Sequence, residues 1–536
     1  MSRNVRDPKA RLAANDFAYQ LLCREVNRPA VRPDSELLSL IESVAQFAWL
    51  SHSGRLADGA LENILLEIGR QRVNSPLSRV SRTKTEVMHG SRTLHVASEV
   101  SVTGGHSRVL AKWIERDLSS SHAIVLTRHP WELPNFLAKI ASDRGTSIVK
   151  LDPRDGILER ARRLRALSAG FDRVILHHHP DDSVPVLAYA APGGCPVAMF
   201  NHAHFWFSLG GGVSDVIINT LPYFRQLTEE YRYPRATATL SGPFGLDALQ
   251  WTDLDKTSAK ERLGLSSDCP VVMTIGNEEY FTPAGPSNFF GTLTKLLSAR
   301  VDVQVIVVGV RKDSPLVPSH IRETGRVTLT GPVADAHPYY EAADICLESF
   351  PMPSLGALVE AVAYGQAFPV PAFAERESPL RVSQERIESV AKRQRNEEDY
   401  VRYLCDLLDK PEDTRERARE LRRTLIRDDM SFGDQFGPLY DQIASFQHMP
   451  RELPMTACSR EHENLALAAL TRTSDVSRAI SNLLPLGSSI SAHWSAIALD
   501  YEGPLPALMS LARRFPRAIF HRLPYSARRR LRPGYR

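Results

Sequence analysis

The chain has 536 residues, of which 43% are hydrophobic and 24% charged, and its formal charge is only +4. Such a length exceeds one ordinary domain, so two or three well-cored soluble domains are expected, and the small charge argues against a generalised nucleic-acid binder. Six scattered cysteines with no Cys-x-x-Cys pair argue against a zinc site or disulfide frame and fit buried thiols in a reducing compartment. The N-terminus lacks the apolar core of a secretory signal. The long uncharged stretch from Ser183 to Ser214 is broken by glycine and proline, so it does not read as a membrane span. A cytoplasmic protein is expected.

Residues 1–92 carry helical apolar spacing, as in Leu37-Leu38-Ser39-Leu40-Ile41 and from Leu61 to Ile68, and are read as a helical extension. From Thr93 the texture changes to strand–helix alternation. Strands are expected at Leu94 to Ala97, Ala123 to Leu126, Ser147 to Val149, Arg173 to Leu176, Val197 to Phe200 and Val216 to Ile218. Helices are expected at His106 to Ile114 and Leu133 to Ile140. Short apolar strands separated by helices imply a parallel sheet covered on both faces, here assigned to a domain over 93–245. The alternation pauses between Leu240 and Lys256 at Ser-Gly-Pro-Phe-Gly, a linker signature.

A second alternation occupies 246–447. Its strands are Val271 to Ile275, Val303 to Val308, Val327 to Leu329 and Ile345 to Leu347; its helices include Phe289 to Leu297, His337 to Ala342 and Leu355 to Tyr364. The expected class is therefore α/β, with two Rossmann-like domains facing a cleft and helical extensions at both ends. The last extension, 448–536, finishes with nine arginines and no acidic residue between Leu511 and Arg536, interleaved with Phe515, Ile519, Phe520, Leu523 and Tyr525. That composition fits an element lying on an anionic membrane surface. Contact with nucleic acid or an acidic partner and a solvated, partly disordered tail are the competing readings.

Ligands of such sheets bind at the carboxyl ends of the strands. After the first strand, Gly104 and Gly105 would let a substrate approach the backbone, and His106 stands at the helix start as a candidate general base or sugar ligand. This is not a G-x-G-x-x-G fingerprint and has no acidic residue at the usual offset, which argues against nicotinamide binding. Two histidine clusters follow, His177-His178-His179-Pro180-Asp181-Asp182 and Asn201-His202-Ala203-His204-Phe205-Trp206. Histidines two apart on an extended segment face one way and could share a metal, but no third ligand stands at a recognisable spacing. His202 and His204 are therefore taken as acceptor-side contacts, with no metal assigned. Phe205 to Phe207, followed by three glycines, read as a mobile aromatic lip. In the second domain, Arg311 and Lys312 follow a strand as candidate phosphate ligands. Glu348 to Gly365 reads as strand, Pro-rich turn and helix: Ser354 is the expected N-cap, Gly356 and Ala357 leave the helix start open to an anion, and Glu360 is placed to accept hydroxyl hydrogen bonds.

The two α/β domains, over about 93–447, resemble the GT-B glycosyltransferases, most closely from Val303 to Gly365. Glu360-Ala361-Val362-Ala363-Tyr364-Gly365 matches the second half of the motif of family-4-like members. The earlier acidic residue, Glu348, lies twelve positions before Glu360, and that spacing, with Phe350-Pro351 behind it, resembles the O-GlcNAc-transferase-like branch. The resemblance implies a nucleoside-diphosphate-sugar donor on the second domain and an oligosaccharide, lipid-linked glycan or protein acceptor on the first. It implies no metal and no cofactor, and a ribose contact at Glu360. The chain departs from that pattern twice. Gly356 and Ala357 replace hydroxyl residues in the turn, and no Lys or Arg lies between Val271 and Thr294, where the family carries a basic residue. A sugar-nucleotide epimerase of the same fold and a catalytically weak binding or assembly subunit remain as alternatives.

Overall fold

The computed structural model describes residues 8–28, 32–73, 90–101, 105–129, 132–204, 206–220, 222–242, 256–283, 288–333, 335–352, 354–366, 394–410 and 430–455, with scattered residues between 416 and 427. The basic 511–536 segment lies outside them. Three helices come first: α1 (Pro8–Val26), α2 (Asp34–Leu50) and α3 (Gly59–Arg72). The first alternation then runs β1 (Ser91–Ala97), α4 (Gly105–Arg116), β2 (Ser120–Leu126), α5 (Asn135–Asp143), β3 (Ser147–Lys150), α6 (Ile157–Ser168), β4 (Arg173–His177), α7 (Val184–Ala188), β5 (Val197–Phe200), β6 (Val216–Asn219), α8 (Pro222–Tyr231) and β7 (Thr237–Thr239). The second runs α9 (Lys256–Arg262), β8 (Val271–Ile275), α10 (Phe289–Ala299), β9 (Gln304–Val308), α11 (Ser319–Glu323), β10 (Val327–Gly331), α12 (His337–Ala342), β11 (Ile345–Leu347), α13 (Leu355–Ala363) and α14 (Glu397–Asp409). It closes with α15 (Phe436–Ala444).

The first sheet has seven strands in the order β3-β2-β1-β4-β5-β6-β7, and the second has four in the order β10-β9-β8-β11. Every pairing in both is parallel. In each sheet the order steps outward from the first strand and then reverses to its other side, which makes two doubly wound, Rossmann-like units with a switch point at the carboxyl edge. The expected α/β class is what the chain forms. Central strands such as β4, β5 and β6 are buried along their whole length, which is why Val174 to Leu176, Val197 to Phe200 and Val216 to Ile218 read as apolar runs without alternation.

Helices α1–α3 do not stand apart from the first sheet. Leu38, Ile41, Val44, Leu61 and Leu65 share one core with Leu94, Val96, Val174, Leu176 and Leu187. At the other end of the chain, Phe436, Tyr440 and Ile443 of α15 pack on Trp113, Ile175, Phe200 and Ile218 of the first domain. The second domain has its own core, in which Phe289, Leu296, Val305, Val307 and Ile345 meet Tyr400 and Leu404 of α14. Among the described residues no helix is long and apolar enough to cross a membrane.

Gly210-Gly211-Gly212 is not the hinge of a lip. All three residues are buried, and the carboxylate of Glu62, fully buried on α3, accepts the amides of Gly210 (3.1 Å) and Gly212 (2.5 Å). A Cβ on Gly212 would lie 2.7 Å from the carbonyl of Arg451, so the glycines serve close packing between α3 and the 448–455 segment. Phe207 is buried, Trp206 is half-buried, and Phe205 lies outside the described residues. Burial raises the Glu62 carboxyl to about 7, opposed by those amides and by Arg451.

Replacing Glu62 by Ala removes the acceptor of two buried N–H groups and should cost about 2–5 kcal/mol. Glu62→Gln keeps one acceptor oxygen and should lose clearly less. Urea unfolding of the two variants checks this, and equal losses would show that the amides do not depend on that acceptor.

Candidate functional site

The turn after β1 is closed by the Ser107 hydroxyl, which accepts the Ser101 amide at 2.8 Å, so that α4 begins at Gly105 on the carboxyl edge. A Cβ on Gly105 would meet nothing within 4 Å, so the helix start opens onto free space; Gly104 lies outside the described residues. His106, in the first turn, is half-buried and stacks on His202 with ring centroids 4.1 Å apart. Burial, helped by His179, lowers the His106 pKa to about 4, so the ring is neutral at physiological pH.

His202 and His204 do not act as a pair. His202 Nε2 lies 3.1 Å from His177 Nδ1, and the line of imidazoles continues through His95 to His122. His204 adopts φ +49°, stacks on Phe224 at 4.2 Å, and leaves its Nδ1 buried without a partner among the described residues. Burial lowers His204 to about 3 and holds His202 well below its ordinary value. His178 and His179 are engaged as well, with Leu209 O at 3.0 Å and Asp181 Oδ1 at 2.9 Å respectively. Among the described residues no three or more His, Cys, Asp or Glu side chains are gathered to hold a metal ion.

The facing edge of the second sheet is built from backbone. Gly309, at φ +97°, packs so closely on Gly276 that a Cβ would lie 2.0 Å from the Gly276 carbonyl. Arg311 and Lys312 follow, both exposed and without a carboxylate partner among the described residues. Glu348 is buried at the end of β11 (5% exposed), where its charge contributes to the raised pKa values of Cys346 and Tyr400. Ser354 does occupy the N-cap position of α13, but its side chain makes no capping bond. The first-turn amides of α13, at Gly356 and Ala357, have no earlier turn to bond to.

Glu360, one turn along, is half-buried. Burial pushes its carboxyl above the ordinary range, opposed by Arg108, by a hydrogen bond from Tyr340 and by His337. Arg108 belongs to α4 of the first domain, two residues after His106. The positive charge of Arg108, on α4, thus acts on the carboxyl of Glu360, on α13.

No protein-family model matches the chain. No curated protein matches it significantly. Solved structures are similar to it, and those reported below are GT-B proteins. The structure of Anabaena Alr3699/HepE in complex with UDP is similar over 66% of this chain and 100% of that one, at 14% identity and a TM-score of 0.50. The chain has the GT-B fold. A Thermobaculum terrenum O-GlcNAc transferase mutant is similar over 80% of this chain and 82% of that one, at 15% identity and a TM-score of 0.48. A putative UDP-N-acetylglucosamine 2-epimerase from Listeria monocytogenes is similar over 68% and 100%, at 13% identity and a TM-score of 0.39.

Three groups on this GT-B cleft escaped the sequence reading. Arg108 sits two residues after His106 in a stretch already singled out, but the Glu360 carboxyl on which its charge acts lies in the other domain. His95 and His122 stand inside apolar strands, where only cross-strand register brings them into line with His177 and His202.

The buried histidines set the acid limit of the fold. Eight of those described (His95, His106, His122, His129, His177, His178, His202 and His204) are held below their ordinary value, mainly by burial. Unfolded, each titrates near 6.5. Below that pH the unfolded chain binds more protons than the folded one, so stability is full above about pH 7 and falls as the pH drops towards the folded values. Denaturant unfolding between pH 7.5 and 5 should show a steep fall with an uptake on the order of five protons per molecule near pH 5.5. A flat profile would show that these rings are not held neutral.

Proposed function

We propose that the protein is a metal-independent glycosyltransferase that moves a sugar from a nucleoside-diphosphate-sugar donor to an oligosaccharide, lipid-linked glycan or protein acceptor. The observation that carries this reading is the half-buried Glu360 one turn inside α13, beside first-turn amides that have no earlier turn to bond to, in a chain with the GT-B fold. In this reading Glu360 accepts hydrogen bonds from the ribose hydroxyls. The free amides at the start of α13, with Ser354, Gly356 and Ala357, take the diphosphate, where the positive end of the helix favours an anion. Arg108 reaches the same place and supplies the cation that the second domain lacks after its first strand. Arg311 and Lys312 add positive charge on the rim, and Glu348 lies behind the donor site in the domain interior.

The acceptor oxygen attacks the anomeric carbon, the bond to the β-phosphate oxygen breaks, and its electron pair leaves on the nucleoside diphosphate. The acceptor proton goes to a neutral imidazole on the first-domain wall, where His106 and His202 stand stacked at the start of α4. His204 lies on the acceptor side of the same loop. Alr3699/HepE was solved with UDP, which supports UDP-sugars as the first donors to offer. The basic 511–536 segment fits a protein that works at the anionic inner face of a membrane on lipid-linked acceptors.

Purified protein offered UDP-, GDP- and dTDP-sugars should bind one class and release its nucleotide in the presence of an acceptor. Glu360→Ala removes charged hydrogen bonds worth about 1.5–3 kcal/mol and should weaken donor binding about 10- to 100-fold. Arg108→Ala should lower kcat more than it raises KM, because charge on the leaving group grows in the transition state. Failure to bind any donor overturns the reading. Sugar interconversion without nucleotide release identifies an epimerase of the same fold, and binding without turnover identifies a binding subunit.

A further inference from the structure

One imidazole per strand runs across four neighbouring strands of the first sheet: His122 on β2, His95 on β1, His177 at the end of β4, and His202 two residues beyond β5. Thr93 pairs with His122 and Ala97 with His177, so the line climbs two residues per strand towards the carboxyl edge. Steps of two keep every ring on the same face of the sheet. There Trp113 of α4 packs edge-on against His95 and His177, at 5.7 Å from each. The nitrogens are in hydrogen-bond contact throughout. His122 Nδ1 to His95 Nε2, His95 Nδ1 to His177 Nε2, and His177 Nδ1 to His202 Nε2 are each 3.1 Å.

The inner end is anchored on Asp117. His122 Nε2 lies 3.3 Å from the Asp117 carbonyl and 3.5 Å from its carboxylate. Arg144 donates to the same carbonyl, Ser119 and Tyr440 donate to the carboxylate, and the Arg173 guanidinium lies 3.7 Å over the Tyr440 ring. Against the effect of burial, the Tyr440 and Ser119 bonds hold the Asp117 carboxyl below the usual range, so it is ionised. The outer end opens on the cleft. His202 is half-buried, its ring is stacked by His106, His178 and His204 stand near it, and its Nδ1 has no partner among the described residues.

These contacts fix the direction of every bond. A neutral imidazole has one N–H and one lone pair. Asp117 offers only acceptors, so His122 carries its hydrogen on Nε2 and accepts at Nδ1. His95 must then donate from Nε2 and accept at Nδ1, and His177 and His202 follow in the same sense. The last lone pair in the line is His202 Nδ1, facing the cleft.

We propose that these four histidines form a directional proton relay, in which a proton taken up at His202 Nδ1 drives each Nε2 hydrogen one ring inward until the positive charge rests on His122 beside the Asp117 carboxylate. At each step one N–H bond breaks and one forms, and the net change is one added proton on the line. It leaves by the reverse path when the cleft meets water. Burial disfavours charge on all three inner rings, and only His122 faces a carboxylate, that of Asp117, which opposes the effect. His95, His177 and His122 are positioning residues that act through His202. The source of the proton, an acceptor hydroxyl, rests on the transferase reading; the order of the tautomers does not.

Two measurements test the relay. In the full chain labelled with [15N]histidine, NMR at pH 7.5 should show all four rings with hydrogen on Nε2, assigned through single His→Gln variants. An Nδ1 hydrogen on His95 or His177 overturns the direction and with it the relay. The second measurement uses His95→Gln, which keeps one donor and one acceptor in line but cannot pass a proton. The variant should retain donor affinity and lose kcat about tenfold or more, within the range general base catalysis contributes. It should also lose the solvent deuterium effect on kcat shown by the unaltered chain. Unchanged kcat and isotope effect in H95Q overturn the relay. If H95Q does not fold, the tautomers of the unaltered chain decide. If no donor supports transfer at all, the transferase reading fails while the tautomer result still stands or falls by itself.

Discussion

Parallel pairing is the constraint on which the rest of this molecule depends. Because no strand pair in either sheet is antiparallel, every connection must cross back over a face, and all strand ends of a sheet gather on one edge. The groups that matter are carried there by segments that leave the sheet: the α4 turn after β1, the histidine loops after β4 and β5, and the turn into α13 after β11. The fold concentrates polar chain ends where a ligand can satisfy them, and it needs something beyond the sheet to hold them still. For the first domain that support is the helical layer α1–α3. Arg232, fully buried, donates to the carbonyls of Leu56, His204 and Trp206 and to the Ser208 hydroxyl, so the loop that carries His202 and His204 is tied to the connection between α2 and α3.

The same geometry accounts for a deficit in the second domain. With no basic residue between Val271 and Thr294, the edge above β8 offers backbone amides and little charge. The charge of Arg108, on α4 of the first domain, acts on the Glu360 carboxyl. A helix dipole alone contributes a fraction of what a guanidinium does in a partly buried site.

The architecture was legible because buried parallel strands advertise themselves. Val271 to Ile275 and Val216 to Ile218 must be apolar on both faces, so they stand out as runs without alternation. What escaped was short or lay on an edge, such as β7, whose Thr-Ala-Thr presents no such run. The three glycines were misread because φ freedom and close approach leave the same mark in a sequence, and only the carbonyl of Arg451 against Gly212 separates them. Ser354 fell at the predicted helix start yet makes no capping bond, since residue type sets the opportunity and the local ψ decides it. His106 and Glu360 could be nominated from their positions after strands. Arg108, His95 and His122 could not, because each is defined by a partner on a distant element.

The histidine line also has to be reconciled with stability. Rings in the middle of a sheet displace aliphatic packing of the kind that Val96, Val125 and Val174 supply, and a buried polar network with an open valence is worse than an apolar core. This line closes at its inner end on Asp117, whose carbonyl and carboxylate take the His122 hydrogen alongside Arg144, Ser119 and Tyr440. Each interior ring then has its donor and its acceptor used. The unmade bond is displaced to the single place where the line meets the cleft, at His202. In the proposed transferase reading, an acceptor hydroxyl is the group that would complete it.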